Sequence, residues 1–128
     1  MSIHQEVVLP VPPARVYELL TDGAKFTAAT GNRVAEIGAG EGATFSLFGG
    51  AIYGRHIELV PNDRVVQAWR VKPWEPGVYS IVRFTLTVEG KGTKLAIDHD
   101  GYPAAIHDHL AAGWITNYVE PFTKYFAS

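Results

Sequence analysis

A chain of 128 residues with no cysteine, a 47% hydrophobic content and a formal charge of −2 is sized for one core and excludes several function classes at once. Eleven Lys and Arg against thirteen Asp and Glu leave no basic stripe for phosphates, so nucleic acid is not an expected partner. Without cysteine there is no disulfide, no thiol nucleophile and no cysteine-bound zinc, a composition that suits the reducing cytoplasm.

The opening run MSIHQEVVLPVPP has neither a basic start nor an unbroken apolar stretch, and nowhere do about 18 apolar residues follow one another, so no leader and no membrane span are expected. Residues 1–128 read as one domain. Residues 3–9 alternate loosely and stop at Pro10, Pro12 and Pro13, which suits a first strand closed by residues that cannot donate to a ladder. Pro13 then opens a short amphipathic helix with Val16, Leu19 and Leu20 on one face, and residues 23–30 are expected as a second brief helix or a turn, ended by Gly31-Asn32. From Arg33 to Asp100 six further strands are predicted, over residues 33–37, 43–48, 51–60, 64–71, 78–88 and 93–100. The separators between them are short and rich in Gly, Pro, Asn or Asp, as antiparallel hairpins require, so a meander is the economical reading. After Pro103 a long helix is expected, because Ile106, Leu110, Trp114, Tyr118, Phe122 and Tyr125 recur every three or four residues. Pro121 should kink or restart it, since proline lacks an amide hydrogen and crowds the carbonyl of Asn117. The sum is an α+β domain: about seven strands in a curved antiparallel sheet wrapped around a long C-terminal helix, with two short helices after strand 1.

Alternation assigns the faces. Trp69 points inward with Val65 and Gln67, which sends Arg70 to the outer face as a surface or ion-pairing residue. Val82, Phe84, Leu86 and Val88 share the inner face of the sixth strand, and Leu95, Ile97 and His99 that of the last. Phe45, Leu47 and Phe48 cannot all point inward from one flat strand, so one phenylalanine is expected at the sheet end or on a contact surface. A curved sheet covers one side of its helix, and the gap between them commonly persists as an apolar cavity. The candidate lining is therefore Trp69, Phe84, Leu86, Leu95, Ile97, His99, Leu110, Trp114 and Tyr118. His99 is the titratable residue of most interest there, either orienting a polar ligand head or hydrogen-bonded for structure.

Other chemistries find no footing. Gly38, Gly40 and Gly42 lead into a strand and not a helix, which removes a nucleotide fingerprint. Gly49 and Gly50 serve a bent hairpin. His107 and His109 lie about 200 degrees apart around a helix and cannot hold one metal ion together, and Asp98 and Asp100 occupy the outer strand face. Ser46 and Ser80 sit in strands without a nucleophile elbow. No catalytic residue, metal or cofactor is assigned.

Phe48-Gly49-Gly50 with Gly54, Leu59-Val60-Pro61, Val66 through Trp69-Arg70, the Trp74–Gly77 turn, Ser80, Gly101 with Pro103, and Gly113-Trp114 with Tyr118 together resemble one known pattern. It is that of the carboxy-terminal domain of the activator of the 90-kilodalton heat-shock protein ATPase, and the likeness runs from about the first helix onward. The resemblance implies the helix-grip fold of the START-like (SRPBCC) superfamily, which also holds birch-pollen-allergen relatives and polyketide cyclases. It implies a co-chaperone family of the stress response. Many members carry histidine in the turn where Val78 stands here, so no role of that side chain is transferred. In the eukaryotic co-chaperone a separate amino-terminal domain makes the main chaperone contact.

The leading expectation is a non-catalytic, cytoplasmic binding protein, a monomer or homodimer, that takes a small apolar ligand in its cavity, a heat-shock protein 90 chaperone on its surface, or both. The alternative is a cyclase- or hydrolase-like enzyme acting on an apolar substrate through His99 and Tyr118.

Overall fold

The sheet brings the first strand of the chain beside the last. In the computed structural model, which describes residues 1–127, seven antiparallel strands are ordered β1-β7-β6-β5-β4-β3-β2. They are β1 Ser2–Leu9, β2 Glu36–Ile37, β3 Thr44–Leu47, β4 Ile52–Val60, β5 Arg64–Val71, β6 Ser80–Glu89 and β7 Gly92–Asp100. From β2 to β7 each strand pairs with the next, the meander that the turn residues predict. β1 pairs with β7 along its length, from Ser2 opposite Asp100 to Leu9 opposite Thr93. Helices α1 (Pro13–Thr21) and α2 (Gly23–Ala29) follow β1, with Pro13 in the first turn of α1 and Asp22 capping α2 through Lys25 N–H at 3.0 Å. Among the described residues no helix is long and apolar enough to cross a membrane.

β2 is shorter than its sequence suggests. The backbone that would extend it is otherwise engaged: Ala35 N–H donates to Thr27 Oγ1 at 2.9 Å, and the Val34 carbonyl accepts from Gly49 N–H at 2.9 Å. Arg33–Ala35 therefore lace α2 to the turn after β3 instead of pairing as strand.

After β7 a 3₁₀ turn (Ala104–Ile106) leads into α3 (His107–Trp114), a π turn (Ile115–Val119) and α4 (Glu120–Ala127). The buried stripe is Leu110, Trp114, Tyr118, Phe122 and Phe126, a strict repeat of four. An α-helix turns about 100° per residue, so each step of four overshoots by about 40° and an unmodified helix would carry Phe126 nearly to the face opposite Leu110. The π turn, in which Glu120 N–H reaches the Ile115 carbonyl five residues back, lowers the turn per residue and keeps the stripe against the sheet. It also widens the helix where Pro121 would crowd Asn117, so the expected kink takes the form of a π turn within a continuous helix. Phe126 takes the inner place assigned to Tyr125, which is exposed.

Two further expectations are corrected. Val88 is 69% exposed, at the end of β6 beside the exposed turn residues Glu89, Gly90 and Lys91. Phe45, Leu47 and Phe48 are all buried: after Leu47 the chain leaves the strand in a 3₁₀ turn with Phe48 (φ 54°), Gly49 (φ 69°) and Gly50 (φ 98°) in the left-handed region. That turn swings the Phe48 ring back inside, edge-on to Phe26 at 5.6 Å and Tyr118 at 5.7 Å. A left-handed phenylalanine costs of order 1 kcal/mol or more, and its buried ring offsets that.

Candidate functional site

A cleft of about 480 Å³ opens where the helix leaves the sheet uncovered. One wall comes from β4 and β5 with Ile52, Trp69 and Val71, and the opposite wall from the helix with Leu110, Gly113, Trp114 and Tyr118. Phe48 closes one end, and Pro73 and Trp74 from the loop between β5 and β6 close the other. Arg33, His109 and Asn117 also line it. The inner wall is aromatic: the Trp69 and Trp114 rings stack at 5.4 Å and 29°, Trp74 meets Trp69 edge-on at 6.0 Å, and Tyr118 lies 4.4 Å from Trp114.

Of the nine residues expected at a cavity, the cleft brings together Trp69, Leu110, Trp114 and Tyr118. Phe84, Leu86, Leu95, Ile97 and His99 lie behind them in packed core, none more than 4% exposed. The sheet faces were read correctly at these positions. The helix, however, packs Trp114 and Tyr118 onto Phe84 of β6 and Trp114 onto His99 of β7, and the cleft lies toward β4 and β5.

His99 is held from both sides. Trp114 Nε1–H donates to His99 Nδ1 at 3.0 Å, and an indole can only donate, so the ring proton sits on Nε2. Nε2–H donates in turn to Ser80 Oγ at 2.7 Å, and the Ser80 hydroxyl donates to the Trp69 carbonyl at 2.8 Å. The chain of bonds joins α3, β7, β6 and β5 and satisfies both ring nitrogens. Burial pushes the imidazole down to about 4, so it is neutral at pH 7. The Tyr118 hydroxyl does not reach it. Burial raises that phenol well above its usual value, the Trp69 N–H facing it offsets this only slightly, and neither polar atom has a partner at hydrogen-bond distance.

Arg70 departs from its expected exposure: it is 4% exposed and forms no ion pair among the described residues. The loop after β5 folds across the outer sheet face and its carbonyls surround the guanidinium. Nη1 donates to Glu75 O at 2.9 Å and Val78 O at 3.0 Å, and Nη2 donates to Trp74 O at 2.5 Å. The rings of Tyr53 and Tyr79 lie 5.3 and 5.5 Å from the guanidinium carbon. Trp69 and Arg70 thus serve one cleft from opposite sheet faces, the first as wall and the second as the anchor that sets Trp74 in place.

Sequence reasoning missed Phe48, Trp74, Arg33, Asn117 and Gly113. Two of them left a trace: a tryptophan between prolines in a turn, and a glycine inside a helical stripe, where alanine would be better by about 1 kcal/mol. Gly113 stands on the cleft wall, where a Cβ would meet only Asn117 Nδ2 at 3.7 Å. Among the described residues no group of three or more His, Asp or Glu side chains is placed to hold a metal ion.

The family described as activator of Hsp90 ATPase homolog 1-like protein matches residues 10–127. An activator of 90 kDa heat shock protein ATPase homolog from Dictyostelium discoideum is 36% identical over 88 residues, 68% of this chain and 23% of that protein. The human activator homolog 1 is 27% identical over 114 residues, 89% of this chain and 33% of that one. The chain spans a third or less of the length of these two relatives. Among solved structures, an HSP90 activator from Plasmodium falciparum superposes with a TM-score of 0.93 at 26% identity, covering 99% of this chain and 96% of the other. The Aha1 dimer from Colwellia psychrerythraea shares the fold at a TM-score of 0.82 and 18% identity, over 98% and 96% of the two chains. The curved sheet, its gripped helix and a sequence match over all but the first strand place this chain in the activator of Hsp90 ATPase homolog 1-like family, on a START-like, helix-grip fold.

Proposed function

We propose that this chain is a non-catalytic binding module of the cytoplasm whose cleft receives a small, largely apolar molecule. The observation that carries the reading is the cleft itself: about 480 Å³, walled by three tryptophans, Tyr118 and Phe48. Phe48, whose backbone is held in the costly left-handed region, forms part of its wall. Absence of catalysis is supported by the state of His99, whose two nitrogens are both bonded within the core and which does not line the cleft. The cyclase- or hydrolase-like alternative relies on His99 and Tyr118 acting together, and the two groups are not in contact.

Native mass spectrometry of the protein recovered from a mixed cell extract tests this reading. A retained small molecule is expected, and it should be lost in Gly113→Leu, which improves helix propensity while filling the cleft. Wild type and variant that both emerge bare would remove the proposal. Kinship with Hsp90 activators supports a second partner, a heat-shock protein 90 chaperone. Co-sedimentation with purified Hsp90, together with its ATPase rate with and without this chain, measures that directly.

A further inference from the structure

The ionisable lining of the cleft is one-sided. The chain as a whole carries a formal charge of −2, yet its cleft is lined by two basic side chains, Arg33 and His109, and by no Asp or Glu. Arg33 comes from the segment that laces α2 to the 3₁₀ turn. Its guanidinium carbon lies 4.6 Å over the Phe48 ring, and Nη2 points to Asn117 Oδ1 at 3.4 Å. Among the described residues no carboxylate pairs with it. A ring face and one long amide contact thus hold the head of an otherwise exposed arginine at the cleft and leave most of its five N–H groups unspent. Asn117 turns its oxygen to the guanidinium, so its NH₂ remains as a further donor beside it.

The inner wall offers rings and not hydrogen bonds. Trp114 N–H is spent on His99, and Trp69 Nε1 and the Tyr118 hydroxyl are sealed from solvent. A polar group deep in the cleft would lose its water without replacement, a cost of about 1–3 kcal/mol. At the Arg33 end, donors from two side chains converge on one place, the arrangement that a two-oxygen anion fits.

Building on the binding reading above, we infer that the cleft selects an anionic amphiphile: an apolar body among Trp69, Trp74 and Trp114, and a carboxylate received by Arg33 and Asn117. The charge balance of the lining excludes a cationic head and gives a neutral one no advantage.

The test compares 2-naphthoate with its uncharged methyl ester by isothermal titration calorimetry on wild type, Arg33→Gln, Arg33→Lys and Gly113→Leu. Wild type should bind the carboxylate about tenfold more tightly than the ester, one charge-assisted contact at about 1.4 kcal/mol per decade. Arg33→Gln should bring the two affinities together by weakening the carboxylate more than the ester, Arg33→Lys should keep part of the preference, and Gly113→Leu should abolish binding of both. Equal affinity for the two probes, or a carboxylate preference that survives Arg33→Gln, overturns this inference while the cleft reading stands. Binding of both probes that persists in Gly113→Leu places them outside the cleft and overturns the two together, as does failure of wild type to bind either probe.

Discussion

Arg70 shows how a single side chain sets a site that it does not touch. It sits on the outer face of β5, next to Trp69 on the inner face, and its guanidinium holds three carbonyls of the loop that delivers Trp74 to the cleft. The charge is buried without an anion, balanced by carbonyl dipoles and two tyrosine rings. Replacing it by alanine removes a donor from three partly buried carbonyls, of which Glu75 O keeps the Val78 N–H at 3.1 Å, and the loop loses its anchor. Arg70→Ala should lower stability by about 2–4 kcal/mol in urea unfolding. Arg70→Lys should recover little, because one ammonium cannot fork to three acceptors. Near-UV circular dichroism should report the same event as a change in the tryptophan signal, since Trp74 packs on Trp69 at 6.0 Å. Wild-type stability in Arg70→Lys would show that charge alone, without the fork, holds the loop.

At the scale of elements, β3, β4 and β5 lie close enough that one position excludes any side chain. Gly54 stands opposite Phe45 on one side and Trp69 on the other, and a Cβ added there would come within 1.9 Å of the Ala68 carbonyl oxygen and 3.0 Å of the Phe45 ring. The nearest atom is backbone, so the ladder itself would have to move. Gly54→Ala is therefore expected to cost more than 2 kcal/mol, although alanine is as small as a side chain can be, and hydrogen exchange should show weakened protection of the β4–β5 amides. An unchanged urea midpoint would mean that the strands are free to separate there. Such contacts mark the boundary of what the sequence discloses. The strands and their inner residues were legible because a period of two, bounded by turn residues, reports burial directly: Val65, Trp69, Val82, Phe84, Leu95, Ile97 and His99 all lie where alternation puts them. The long helix was legible from a different period, apolar residues recurring every three or four positions. The cleft was only partly so, because its shape depends on non-repeating pieces. Phe48 enters through a left-handed turn, Trp74 is carried by a loop folded over the sheet, and Arg33 lies in a stretch whose backbone bonds leave the ladder. Alternation has no access to a residue whose burial comes from a loop crossing the outer face, which is why Arg70 lies on the expected face and yet is buried.

Across the whole molecule, the network from Trp114 through His99 and Ser80 to the Trp69 carbonyl ties the gripped helix to β7, β6 and β5, so its protonation state bears on global unfolding. His99 titrates at about 4 in the fold because of burial, against about 6.5 in an unfolded chain. His56 is 1% exposed on β4, with no hydrogen-bond partner for either ring nitrogen, and burial lowers it as well. Below pH 6.5 the unfolded chain takes up protons that the folded one refuses, so stability is fully present above that value and declines as pH falls toward 4. For His99 the decline amounts to about 3 kcal/mol by pH 4, and His56 adds to it in the same direction. Exposed His4 works the other way, raised by Asp98 and Glu6, but solvent screening keeps its share small. Glu6 and Glu58 are lowered by His4 and Arg64 respectively, and they extend the loss below pH 4.5. Urea midpoints should stay level from pH 8 to 7, then drop steadily between 6.5 and 4. In His99→Gln, an uncharged side chain that retains an acceptor for Trp114, the same scan should be distinctly flatter, though its midpoint at pH 7 should be lower. A wild-type midpoint that does not move between pH 7 and 4.5 would mean that the core admits an imidazolium, and the neutral, doubly bonded His99 at the centre of this fold would have to be abandoned.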